Sequence, residues 1–322
     1  MANIRQIKSF NFLSLKKKQN LVAMKNAVIK LIILVFTVNL SFSQEWMTNL
    51  EIAQNLALVQ NKMVLMVWEE TTKYQYPVLA NDGNGRILLL ENLFTDEYLS
   101  PLIWENFVPV IVSEHRYAEL YEEIKKNRRQ LYREKFNDDS VKIMDVNGYI
   151  INVRWSAENY INITTLIEDY AFNTEFLAAE LRGYREDKNF YSAYYLAAKY
   201  MDFAMYAKQK TRPEIIDLSH IYMEEALALI DINDKHEALI QAQRIELLKI
   251  QEYLLDKRPK KVLRSLKRMD ADEIENNNKA FAAFLYYTSY SILNDTENAE
   301  QWKSEISSVN LRKAQLIINL NS

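Results

Sequence analysis

Apolar residues between positions 46 and 155 fall into alternating patterns. Over 46–61 they recur at helical spacing, with Leu50, Ala53, Leu56 and Ala57 on one side, and the chain then runs straight into Met63-Val64-Leu65-Met66-Val67-Trp68. That order reads as a helix followed by a buried strand. Helix-like runs at 87–93 and 95–105 come next, and then Phe107-Val108-Pro109-Val110-Ile111-Val112, a second buried strand. A long charged helix over 117–135 precedes the segment 141–153, where Asn147-Gly148 tolerates the positive φ angles of a tight hairpin turn. Helices and strands alternating in this way predict a parallel sheet covered by helices, ending in an antiparallel hairpin.

From 159 to 318 the period changes to three and four almost throughout, which predicts six to eight helices. One boundary is marked by Thr211-Arg212-Pro213-Glu214. A threonine three residues before a glutamate, with proline between, predicts a capped helix running to about Ile230. The mixtures of aromatic and small residues at 190–200 and 280–287 suit helix pairs in close approach. They resemble tetratricopeptide-type helical hairpins, arrays of which present a groove.

Composition sharpens this picture. Only 4 glycines and 5 prolines punctuate 322 residues, so long helices should dominate. Residues 1–43 hold seven basic side chains (Arg5, Lys8, Lys16, Lys17, Lys18, Lys25 and Lys30) and no acidic one. The rest of the chain is therefore clearly acidic, which argues against general binding to nucleic acid. The local basic groups Lys125, Lys126, Arg128, Arg129 and Lys257, Arg258, Lys260, Lys261 read as solvated helix faces or ends.

The basic start at Met24, the apolar run 31–38 and the small residues Ser41 and Ser43 have the form of a secretory signal peptide over 24–43, with cleavage expected before Gln44. Residues 1–23 then precede a complete signal and read as a start-site artefact. The apolar run falls short of the roughly 20 residues that cross a bilayer, so no stable membrane insertion is expected after cleavage. A periplasmic location follows. The chain contains no cysteine, so it performs no thiol or disulfide chemistry and its stability must come from packing.

Residues 46–155 resemble an exported bacterial thioredoxin-family domain. The resemblance rests on the leading helix that ends in Asn61-Lys62, on Phe94-Thr95-Asp96, on Glu105-Asn106-Phe107-Val108-Pro109-Val110, and on the span Asp145 to Gly148, in that order and spacing. It implies an α/β thioredoxin-like domain over 44–156, a central mixed sheet flanked by helices, joined to an all-α helical-hairpin domain over 157–322. Counting back from Phe94 puts the family's Cys-x-x-Cys on Gly83-Asn84-Gly85-Arg86, and counting back from Gly148 puts its cis-proline at Asp139. Neither thiol nor proline is present. The resemblance therefore implies a redox-inactive scaffold.

Other chemistry is sparse. His115, His220 and His236 have no zinc-type spacing, although Asp217 and His220 could share a helix face. The acidic pairs Glu69-Glu70 and Asp138-Asp139 read as solvated loop residues, and Gly83-Asn84-Gly85 as a turn rather than a phosphate loop. No catalytic residue, metal or cofactor is expected. The leading reading is a module that binds a protein or peptide. The alternative is an enzyme or small-molecule binder that reuses the degenerate site through Glu70, Asn84, Arg86 and Asp139.

Overall fold

Asn49 starts the first helix, α1 (Leu50–Gln60), by accepting the Ile52 N–H at 3.0 Å on its side chain, and Asn61 ends it in the left-handed conformation. Strand β1 (Met63–Trp68) follows, then a 3-10 turn at Glu69–Lys73. The hairpin β2 (Val78–Asn81) and β3 (Ile87–Leu90) comes next. Helix α2 (Leu99–Asn106) leads into β4 (Phe107–Val112), and Ser113 caps α3 (Glu114–Asn127). Helix α4 (Gln130–Asn137), β5 (Lys142–Met144) and the short β6 (Ile161–Asn162) complete the part that carries strands. This computed structural model describes residues 45–156, 159–269 and 274–322. The expected signal peptide and the segment before it lie outside the described residues, as does residue 157, where the second domain is expected to begin.

Strand β1 is central in the first sheet. It pairs in parallel with β4, Met63 opposite Phe107 through Trp68 opposite Val112, and antiparallel with β5, Met66 opposite Lys142. Single bridges widen this sheet at both edges, Met47 beside Val110 in parallel and Met144 beside Ile150 antiparallel. Helices cover the sheet, so β1 and β4 are buried along nearly their whole length, which is why both read as unbroken apolar runs. Gly148 turns the 145–149 hairpin at φ +90°. A second sheet joins β3 to β2 antiparallel and β2 to β6 in parallel. The fold is thus mixed α/β with two three-stranded sheets.

The helices that follow are α5 (Ile163–Tyr170), α6 (Ala178–Glu186), α7 (Phe190–Phe203), α8 (Arg212–Ala228), α9 (Lys235–Leu255), α10 (Pro259–Arg268), α11 (Asn276–Ile292), α12 (Thr296–Lys303) and α13 (Ser308–Asn321). From residue 159 on, nine helices stand among the described residues, against six to eight expected there. Helix α7 opens with a reciprocal cap between Asn189 and Ser192. No helix among the described residues is long and apolar enough to cross a membrane. Residues 46–322 form one compact unit, with α1, the first sheet, α7 and α8 contributing to the same buried core.

Three local expectations are corrected. The run 87–93 is strand β3 and its exit, not a helix, because it pairs with β2 across the Gly83-Asn84-Gly85 turn. The charged helix of 117–135 is two helices broken at Arg128 and Arg129, both in extended conformation. Thr211 does not cap α8 through its side chain; its hydroxyl donates back to the Lys208 carbonyl at 3.4 Å.

Candidate functional site

The loop between α4 and β5 gathers the most unusual side chains of the sheet region. Lys142 sits on β5 beside Met66, so its ammonium is carried into the interior, where it is fully buried. It donates to the Asp138 carbonyl, lies 3.2 Å from the Asp138 carboxylate and stands over the Tyr117 ring. Lys135, equally enclosed on α4, donates to Asp138 Oδ2 at 3.2 Å, Ser140 Oγ at 2.5 Å and the Trp155 carbonyl at 3.3 Å. Two buried ammoniums thus share one carboxylate.

Burial lowers the Lys142 ammonium to about 8, an effect that Asp138 only partly offsets. Lys135 is lowered by the same cause. Burial would raise Asp138, but the Ser140 hydroxyl and the two ammoniums outweigh it and hold the carboxyl below its ordinary range. The cluster fixes the loop and offers no reachable nucleophile, since both amines point inward onto Asp138.

Outside this cluster lies an open cleft of about 390 Å³, walled by Tyr76, Pro77, Asp139, Tyr160 and Ile161. Tyr76 donates its hydroxyl to the Asp139 carbonyl at 3.3 Å, tying the base of the β2–β3 hairpin to the loop. Asp139 is exposed, and no peptide bond among the described residues is cis. The remaining candidates do not join it. Glu70 pairs with Lys73 within the 3-10 turn at 2.5 Å. Gly83, Asn84 and Arg86 form the tip of the hairpin rather than the start of a helix, and Asp82 holds them there. Its carboxylate accepts the Arg86 N–H at 2.8 Å, the Arg86 Nε at 2.8 Å and the Asn84 N–H at 2.9 Å, bonds that keep it below the ordinary carboxylate range. Glu70, Asn84 and Arg86 therefore share neither a hydrogen bond nor a cavity with Asp139.

A second polar cluster ties the 145–149 hairpin to the helices. Asp145 is wholly buried and accepts four hydrogen bonds. The N–H groups of Asn147 and Tyr149 reach it at 2.9 and 3.0 Å from its own turn, Tyr200 of α7 reaches it at 3.1 Å, and Tyr222 of α8 donates as well. Burial pushes its carboxyl up to about 6 against those bonds. Asn147 donates to the Tyr222 oxygen at 2.8 Å. Glu225 of α8 accepts from Tyr149, Tyr184 and Lys188, and these contacts outweigh burial to hold it low. Glu214 accepts Tyr170 Oη at 2.6 Å and the Arg154 N–H at 3.1 Å, and burial pushes it up to about 7.

Asp217 and His220 do share a face of α8, where both line one cavity, but each bonds elsewhere. Arg154 takes Asp217 at 2.6 Å, while His220 meets Glu252 at 2.7 Å. Among the described residues no three His, Asp or Glu side chains are placed to hold a metal ion. Sequence reasoning missed Lys135, Lys142 and Tyr76, and the whole Asp145 cluster. Lys142 alone left a signal, as a charged residue inside the apolar run Val141–Met144. No protein-family model, curated protein or solved structure matches this chain.

Proposed function

We propose that this chain is an exported, thiol-free binding module of thioredoxin-like topology that engages a protein or peptide partner. The order of strands in the first sheet supports the topology: the Met47 edge, β4, β1, β5 and the Ile150 edge, with two crossovers followed by a hairpin. The cysteine-free composition leaves such a scaffold without its usual redox chemistry. Its form after export, in the periplasm, begins at Gln44.

The observation that carries the binding reading is strand β3. Ile87 is 64% exposed, Leu89 58% and Leu88 39%, so an edge strand presents three large apolar side chains to solvent. The bond from the Asp82 N–H to the Arg86 carbonyl sets the phase of the hairpin. In that phase Leu88 and Leu90 turn their peptide groups toward β2, and Ile87 and Leu89 turn theirs toward the open edge. No backbone partner for them stands among the described residues. A free, apolar strand edge invites an added strand from another polypeptide.

The test immobilises the exported chain, exposes it to periplasmic extract, and repeats the capture with Ile87→Lys and Leu89→Lys. Both positions are solvent-facing, so each change should leave stability within about 0.5 kcal/mol. The reading expects a saturable partner held by the parent chain and lost from both variants. Equal capture by parent and variants, or no saturable partner at all, refutes it.

A further inference from the structure

A separate cavity of about 170 Å³ lies where α3, α4, the segment 150–154 and α8 meet. Buried Tyr132, Ile150 and Ile221 and the half-exposed Leu131 give it an apolar lining, which also includes Arg128, Arg129 and Arg154 against Asp217 and Glu224. Apolar cavities of about 150 Å³ accept a molecule the size of benzene. The space suits one compact apolar group.

Arg128 sets the polar end. Its side chain is only 12% exposed, yet its guanidinium makes no hydrogen bond among the described residues. The nearest carboxylate oxygens, on Glu225 and Glu224, stand at 3.6 and 3.7 Å, too far for one. Its other neighbour is the Tyr149 ring, 4.9 Å away, on which it stacks. Glu225 cannot turn to it cheaply, because Tyr149, Tyr184 and Lys188 already hold that carboxylate. Arg154 is taken by Asp217, and Glu224 is half exposed and shared with Arg129 at 3.8 Å. The five N–H donors of Arg128 thus have two carboxylates at ion-pair distance but no acceptor within hydrogen-bond distance, and a planar carboxylate is the group that matches such a fork bidentately.

We propose that this cavity binds small carboxylates with a compact apolar body, the body against Ile150, Leu131 and Ile221 and the carboxylate on Arg128. The site is distinct from the β3 edge and stands or falls separately from it. A free acid and the terminal residue of a peptide share this chemistry.

The test titrates the full chain with phenylacetate and with phenylacetamide, its neutral isostere, following chemical shifts and calorimetry. The acid should bind at least tenfold more tightly than the amide. Arg128→Met should remove that preference, Arg128→Lys should keep part of it, and Ile221→Trp should block both ligands by filling the cavity. Unfolding midpoints of the three variants are measured alongside, and a preference lost in Arg128→Met at an unchanged midpoint assigns the effect to the guanidinium. A third arm uses a pentapeptide ending in phenylalanine with a free or an amidated terminus. Tighter binding of the free-terminus peptide than of phenylacetate identifies a chain end as the source, and the reverse identifies a free acid. Equal binding of acid and amide, or no saturable shift with any of these probes, overturns the proposal and leaves the β3 reading untouched.

Discussion

Replacing Glu214 by Gln should stabilise the protein at alkaline pH and not at acid pH. Glu214 is buried on α8, and its carboxyl is pushed up to about 7 from an ordinary 4.5. A carboxyl raised on folding favours the native state fully below its unfolded value, and that contribution is lost as pH rises through the folded value. The window is therefore about 4.5 to 7. Above it, the native state carries a buried carboxylate at a cost of about 3 kcal/mol, taking 1.36 kcal/mol for each pH unit. Glutamine keeps both contacts. Its amide oxygen can accept the Arg154 N–H, and its NH₂ can donate to the Tyr170 oxygen once that hydroxyl rotates. Urea unfolding at pH 5 and pH 8.5, followed by tryptophan fluorescence, measures the effect. Relative to the parent chain, the variant should gain about 2–3 kcal/mol more at the higher pH than at the lower. A difference between the two proteins that stays constant across that range would refute the assignment, because it would mean that Glu214 titrates alike folded and unfolded.

Tyr222→Phe should cost about 2–3 kcal/mol, since it removes a donor from the buried Asp145 carboxylate and the acceptor of Asn147 Nδ2, and thermal unfolding reports it. The same change should raise the Asp145 carboxyl further above about 6, so its penalty should grow between pH 5 and pH 8. Gly148→Ala should cost about 1–2 kcal/mol, because a Cβ there is strained at φ +90° and meets Gln54 Nε2 at 3.0 Å. Gly83→Ala, at a turn with open space and no positive φ, is its control and should be nearly neutral in the same melt.

Strands β1 and β4 were legible because each is an apolar run flanked by helical patterns, and the 145–149 hairpin because Asn147-Gly148 carries turn chemistry. The β2–β3 hairpin was hidden by Ile87-Leu88-Leu89-Leu90, a run with no period that fits a helix as well as a strand. The turn at Gly83-Asn84-Gly85 was recognised, but the strands on either side of it were not. The break at Arg128 has no glycine or proline to announce it; there the guanidinium lies on the Tyr149 ring of the hairpin, a contact across the fold. Polar residues chosen from the sequence were mostly satisfied close by, Glu70 by Lys73 and Arg86 by Asp82, each within four positions. Asp145 was noticed only as part of the hairpin span, and its role as a buried acceptor was not, since Tyr200 and Tyr222 lie 55 and 77 residues away along the chain.

That distance decides how the protein can be taken apart. The sequence changes character near residue 157, from alternating elements to helices alone, and a cut there looks natural. Yet the carboxylate that shapes the 145–149 turn is roofed by Tyr200 of α7 and Tyr222 of α8, and Arg154 leans on Glu214 and Asp217 of α8. Removing the helices would expose Asp145, strip two of its four hydrogen bonds and open the cavity beside Arg128. Loss of binding after such a truncation would report loss of the hairpin as readily as loss of a surface on the helices. Single substitutions avoid this: Leu89 lies on an exposed edge, and Arg128, which also stands beside Glu224 and Glu225 of α8 and on the Tyr149 ring, is read together with the unfolding midpoint of its variants. They separate recognition from folding where a domain deletion cannot.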